Sequence, residues 1–128
     1  MKLNVMFIVA AIWTFFLGFY QLLAPAAITN GALNTSSPIS LFLAVVSLGI
    51  ANLSIGIIAL LIRNIEASKT RNSVAMGFTI IFVLRAMAAL YGQSLDPTNM
   101  FWIRALAEGL IAVGFLLADR VGAVPVIK

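Results

Sequence analysis

SLFLAVVSLGIANLSIGIIALLI, residues 40–62, runs for 23 residues without a charged side chain. A helix that crosses the hydrocarbon core of a bilayer needs about 20 mostly apolar residues, so this stretch is long enough to span. Three other segments have the same character. They are residues 3–23, residues 73–91 with Arg85, and residues 99–117 with Arg104 and Glu108. The expectation is an all-α, four-transmembrane-helix bundle filling residues 1–128 as one membrane domain.

Composition supports this. The chain is 62% hydrophobic and 9% charged, where a soluble domain is about half apolar and about a quarter charged. Cysteine is absent, which excludes a disulfide framework and thiol chemistry. Histidine is absent too, and with it the commonest metal ligand and the commonest base near neutral pH. With four acidic residues in all, no metal site and no cofactor are expected. The net charge of +4 reports topology rather than nucleic acid, because the basic residues outside the spans collect on one side and no basic patch is interleaved with aromatics.

The connectors carry breaker chemistry. Ala24-Pro25 ends the first segment, and Asn30-Gly31 through Ser36-Ser37-Pro38 reads as a polar loop. Arg63 to Asn72 reads as a charged connector and Gly92 to Pro97 as a tight turn. Asp96-Pro97 reads as an N-cap followed by proline at the first helical position. Lys2, the apolar run and Ala24-Pro25-Ala26 faintly resemble a signal peptide. The run exceeds the core of about 7–15 residues that such peptides use, so it is read as a span.

Orientation follows from the basic residues. Lys2, Arg63, Lys69, Arg71, Arg120 and Lys128 fall on one side of a four-span arrangement, and residues 24–39 and 92–98 contain no Lys or Arg. The positive-inside rule then puts both termini in the cytoplasm, as in a multi-pass plasma-membrane protein. Trp13, Tyr20, Tyr91 and Trp102 are candidates for an interfacial belt, with Trp13 deep for that role.

Arg85, Arg104 and Glu108 are the exceptions inside the spans. A charge there costs about 2.5–3.5 kcal/mol unless it is paired or wetted. At a rise of about 1.5 Å per residue, both arginines lie about 9 Å below the outer boundary, with Glu108 one turn deeper. Helical side chains tilt toward the helix N-terminus. Arg85, on a helix that starts inside, leans toward the membrane centre. Glu108, on a helix that starts outside, leans outward. The two are expected to bridge their helices. Arg104 shares a face with Glu108 at i,i+4, in the poorer order for a pair, and can instead snorkel toward headgroups.

Three readings of this centre stay open. It is structural glue that fixes which helices face each other. It is a polar pocket whose surplus positive charge suits a carboxylate, a phosphate or a lipid headgroup. Or it is a proton relay, disfavoured because two neighbouring arginines favour the charged form of Glu108. Asn52 is a further candidate for the polar centre. Thr14 and Ser54 are expected to make interhelical hydrogen bonds, and Gln21 to face the interface. Gly49, Ala51 and Gly56, and the Ala105/Gly109 pair, are expected to permit close helix packing.

Together, Gly18 with Leu23-Ala24-Pro25, the Gly-Ile-Ala-Asn-Leu-Ser-Ile-Gly segment at 49–56, Leu84-Arg85, Asp96-Pro97 and Glu108 resemble the small bacterial four-helix membrane proteins grouped as DoxX-like. That resemblance covers nearly the whole chain and rests on short motifs. The group typically has Gly-Arg in its third helix and Asp-Gly in the loop that follows, where this chain has Leu84 and Pro97. The resemblance implies a four-helix bundle of the bacterial inner membrane with an arginine–glutamate centre, and no catalytic activity. Small multidrug transporters are similar in size but carry a glutamate in helix one, where this chain has no acid. The membrane-associated glutathione and eicosanoid enzymes are also similar in size, but only Asn52 matches their helix-two pattern.

The favoured function is a non-enzymatic membrane protein, either binding a lipid-like or small anionic ligand or serving as an accessory subunit of a larger complex. Its expected partners are membrane lipids, such a ligand, and a second copy or another membrane subunit. A membrane enzyme on a lipophilic substrate, with Glu108 as acid–base group and an arginine stabilising an anion, is the alternative. A proton-coupled carrier is the third, and it lacks the broken span such carriers use.

Overall fold

The computed structural model describes residues 2–24, 39–98 and 100–118. Among these residues the chain is all helical, with α1 (Leu3–Leu23), α2 (Ile39–Arg63), α3 (Lys69–Leu95) and α4 (Phe101–Leu117). Residues 3–23, 43–63 and 69–95 are long and apolar enough to cross a membrane. Helix α4 has 17 residues, about 26 Å at the usual rise against a hydrocarbon core of about 30 Å. The loop at Asn30-Gly31 and Ser36–Pro38 lies outside the described residues, as do Arg120 and Lys128.

The helix ends follow local chemistry. Ala24 has left α1, because a residue before proline clashes if it stays helical. Helix α2 ends on Arg63, whose charge suits the negative end of the helix dipole. Helix α3 begins at Lys69, four residues ahead of position 73, because Ser68 caps it: the Ser68 hydroxyl accepts from the Arg71 N–H at 3.2 Å. The charged connector is therefore shorter than Arg63–Asn72.

At its other end α3 runs to Leu95, so Gly92–Leu95 is helix and not part of a tight turn. Asp96 is the C-cap of α3, its N–H donating to the Gly92 carbonyl at 3.0 Å. The reading of Asp96 as the N-cap of α4 is thereby corrected. Its carboxylate instead accepts from the Thr98 hydroxyl at 2.6 Å and the Thr98 N–H at 3.2 Å. Pro97 precedes the first residue of α4 by four positions, and the N-cap Met100 makes no side-chain capping bond to the helix. Gln93 takes over that task from the last turn of α3: its Oε1 accepts from the Trp102 N–H at 3.1 Å, and its Nε2 donates to the Pro97 carbonyl at 3.2 Å.

The chain forms two compact units, residues 7–62 and residues 1–6 with 63–128. In the first, α1 and α2 run antiparallel and touch through glycines. A Cβ placed on Gly18 would lie 2.8 Å from Leu53 and 2.9 Å from the Gly49 carbonyl, and one on Gly56 would lie 2.8 Å from Thr14 Oγ1. Backbones this close are the usual result of small residues where two membrane helices cross. Gly49 and Gly56 serve as expected, whereas Ala51 is exposed. The hydroxyls of Thr14 and Ser54 do not bridge helices. Each donates back to its own helix at 2.9 Å, Thr14 to Ala10 and Ser54 to Ile50, a bond always within reach of a helical hydroxyl.

In the second unit, α3 and α4 form an antiparallel hairpin. Phe101 packs on Gly92 near the turn. Farther along, the Phe115 ring meets those of Phe78 and Phe82 at centroid separations of 5.5 and 6.4 Å. Phe82 and Phe115 are fully buried. Among the described residues Gly109 meets nothing within 4 Å of where a Cβ would stand, so no close helix approach is seen at the Ala105/Gly109 pair there. The first turn of α1 belongs here too: the Arg71 guanidinium donates to the Asn4 carboxamide, which sets the starts of α1 and α3 side by side. Lys2 and Lys69 are exposed at that same end.

Candidate functional site

Helix α3 contributes Arg85, and α4 contributes Arg104 and Glu108 one turn apart. The hairpin register fixes their meeting, with the Gly92–Phe101 contact on the turn side and the phenylalanine cluster on the other. Arg85 reaches Glu108 Oε1 with Nε at 2.9 Å and Nη2 at 2.8 Å. This is the interhelical bridge that opposite side-chain tilts predict. Arg85 also sits 5.7 Å over the Phe82 ring, close enough for its positive charge to be attracted by the ring face.

Arg104 joins the same centre. Of the two courses open to it, snorkelling or pairing, it takes the second and donates its Nε to the same Oε1 at 3.1 Å. The attraction of a fully buried carboxylate outweighs the poorer i,i+4 order, because a charge out of water interacts more strongly. The three side chains are unequally covered: Glu108 has no exposed surface, Arg85 is 16% exposed and Arg104 is 35% exposed. Among the described residues the Nε contact is the one polar interaction of the Arg104 side chain. Its terminal N–H donors are left for something else.

Two guanidinium groups and one carboxylate leave one net positive charge. The Arg85 pairing, a hydrogen bond from Nε with Nη2 in ion contact on the same oxygen, already compensates Glu108. The surplus is therefore carried by the more exposed Arg104. A planar guanidinium with its outer edge uncommitted is suited to two oxygens of a carboxylate or phosphate.

No family model, curated protein or solved structure matches this chain. What the site does must be read from its own residues.

Asn52 belongs to the other unit and is paired there. Its Nδ2 donates to Gln21 Oε1 at 2.6 Å, and both residues are buried. Gln21 is therefore an interhelical partner, correcting its placement at the interface. An amide in an apolar crossing must find a partner, and the antiparallel α1/α2 register brings Gln21 to it. Two contributions were not evident from residue type: Phe82 beneath Arg85, and Gln93 fastening the start of α4. The spacing of Phe82 and Arg85 at i,i+3 was the available signal for the first. Among the described residues, no three His, Cys, Asp or Glu side chains gather where they could hold a metal ion.

Proposed function

We propose that the chain is a four-span membrane protein with both termini in the cytoplasm, and that it binds a small anionic or lipid-like ligand through Arg104 without catalysing a reaction. The observation that carries the ligand site is the shared carboxylate: Arg85 and Arg104 both donate to Glu108 Oε1, leaving one positive charge and the outer edge of Arg104 uncommitted. Intramembrane charges are costly and so mark function by default. The four-span topology draws on the exposed lysines Lys2 and Lys69 at the joint start of α1 and α3. It also counts α4 as a short span, its two charges paired with each other and with Arg85. A bacterial inner membrane goes with the DoxX-like resemblance.

Native mass spectrometry of the full chain, extracted gently with its lipids, tests the binding. A bound anionic species present in the wild type and absent from folded Arg104→Gln is the expected result. Identical spectra for the two proteins would remove the ligand site from Arg104.

A further inference from the structure

The geometry of the three charges says more about the ligand, on the reading that Arg104 binds an anion. Glu108 Oε1 meets three guanidinium nitrogens, and Arg104 Nε at 3.1 Å is the farthest of them, against 2.8 and 2.9 Å from Arg85. Arg104 is also the single-point partner, in the weaker i,i+4 order, and the more exposed arginine. Of the two cations it is the one that an incoming anion can detach.

The surroundings define what can arrive. Met100, four residues before Arg104 and so on its side of α4, is 67% exposed. A free hydrated ion approaching over this apolar surface would lose its water before gaining a partner. An amphiphile lays its tail on that surface while its head reaches the guanidinium. Charge balance sets the number of charges on the head. With Arg85 kept on Glu108, a head with one negative charge pairs every charge one to one.

We infer that the ligand is a membrane amphiphile whose head carries a single negative charge on two equivalent oxygens, a phosphodiester or a carboxylate, and that it takes Arg104 over from Glu108. Glu108 is then the occupant of Arg104 in the empty protein, and Arg85 holds Glu108 throughout.

The test is lipid titration of the full chain in neutral detergent, read by native mass spectrometry. The probes are phosphatidylglycerol, with one phosphodiester charge, zwitterionic phosphatidylcholine, and inorganic phosphate. The wild type binds phosphatidylglycerol in preference to phosphatidylcholine, inorganic phosphate does not displace it, and Arg104→Gln loses it. The double variant Arg85→Gln/Glu108→Gln removes the internal competitor with its counter-charge. It should bind phosphatidylglycerol about tenfold tighter, as expected for freeing one charge-assisted hydrogen bond.

Should the double variant fail to fold, arginine Nε–H resonances of the wild type supply the second readout. Phosphatidylglycerol should shift the signal of Arg104 and leave that of Arg85 in place. Binding of phosphatidylglycerol that depends on Arg104 but is not strengthened in the folded double variant, or an unmoved Arg104 signal, overturns the exchange. Equal binding of phosphatidylcholine overturns the single negative head, and displacement by inorganic phosphate overturns the amphiphile. Absence of any anion binding to the wild type sinks the proposed function itself.

Discussion

Arg85 and Glu108 meet 23 residues apart in sequence, with two nitrogens of one guanidinium on a single carboxylate oxygen at 2.9 and 2.8 Å. Glu108 has no exposed surface. A carboxylate so placed is stable only with its counter-charge, which the α3/α4 hairpin register brings to it. Breaking such a pair from one side strands a charge and costs about 3–5 kcal/mol, whereas replacing both partners with apolar side chains can be nearly neutral. Arg85→Leu and Glu108→Leu are therefore each expected to destabilise the protein strongly, and the double variant less than the sum. Reversible unfolding in mixed micelles, followed by helical circular dichroism, measures this. Additive losses would mean that the two side chains are not coupled.

The glycines divide into two classes. Gly18 has no room for a methyl group, since the backbone of Gly49 and the side chain of Leu53 would stand under 3 Å away. Overpacking of this kind costs about 1–3 kcal/mol. Among the described residues Gly77 and Gly109 have nothing within 4 Å of where a Cβ would stand, and alanine there should gain up to about 1 kcal/mol in helix propensity. The same unfolding assay compares Gly18→Ala with Gly109→Ala. Opposite signs are expected.

Capping of α4 is assigned to Gln93 and withheld from Asp96. Gln93→Ala removes the acceptor of the Trp102 N–H, with a loss of about 0.5–2 kcal/mol as for other caps. Asp96→Ala disturbs only the exposed contacts with Thr98, for which about 0.5 kcal/mol or less is expected. The ranking of the two variants in thermal unfolding decides between them.

The lack of native cysteine makes topology straightforward to probe. Glu66, between α2 and α3, and Thr98, between α3 and α4, are exposed. Single cysteines at these positions should react with a membrane-impermeant maleimide from opposite sides of the bilayer, that at position 66 from the cytoplasm. Labelling of both from one side would contradict the spanning of α3.

Much of this was readable in the chain. Long apolar runs located the helices, because a membrane leaves no other solution for unpaired backbone. Side-chain tilt placed Arg85 against Glu108. The helix ends were less readable, since Ser68 and Gln93 act through hydrogen bonds that depend on where the neighbouring turn lies. Whether Arg104 pairs with Glu108 or snorkels is not legible from spacing, because i,i+4 statistics come from exposed helices in water, whereas Glu108 is fully buried. The partnership of Asn52 with Gln21 required the α1/α2 register, which glycine spacing suggests but does not fix.

The division of labour between the arginines sets up the decisive comparison: unfolding stability and bound anionic lipid measured together for Arg85→Gln and Arg104→Gln. Arg104→Gln should lose the lipid yet shift stability by no more than about 1 kcal/mol, the ordinary worth of a partly exposed pair. Arg85→Gln should lose about 3–5 kcal/mol of stability. Arg104→Gln that retains the lipid, or that destabilises as much as Arg85→Gln, would contradict the assignment of Arg104 as the ligand's partner and Arg85 as the structural one.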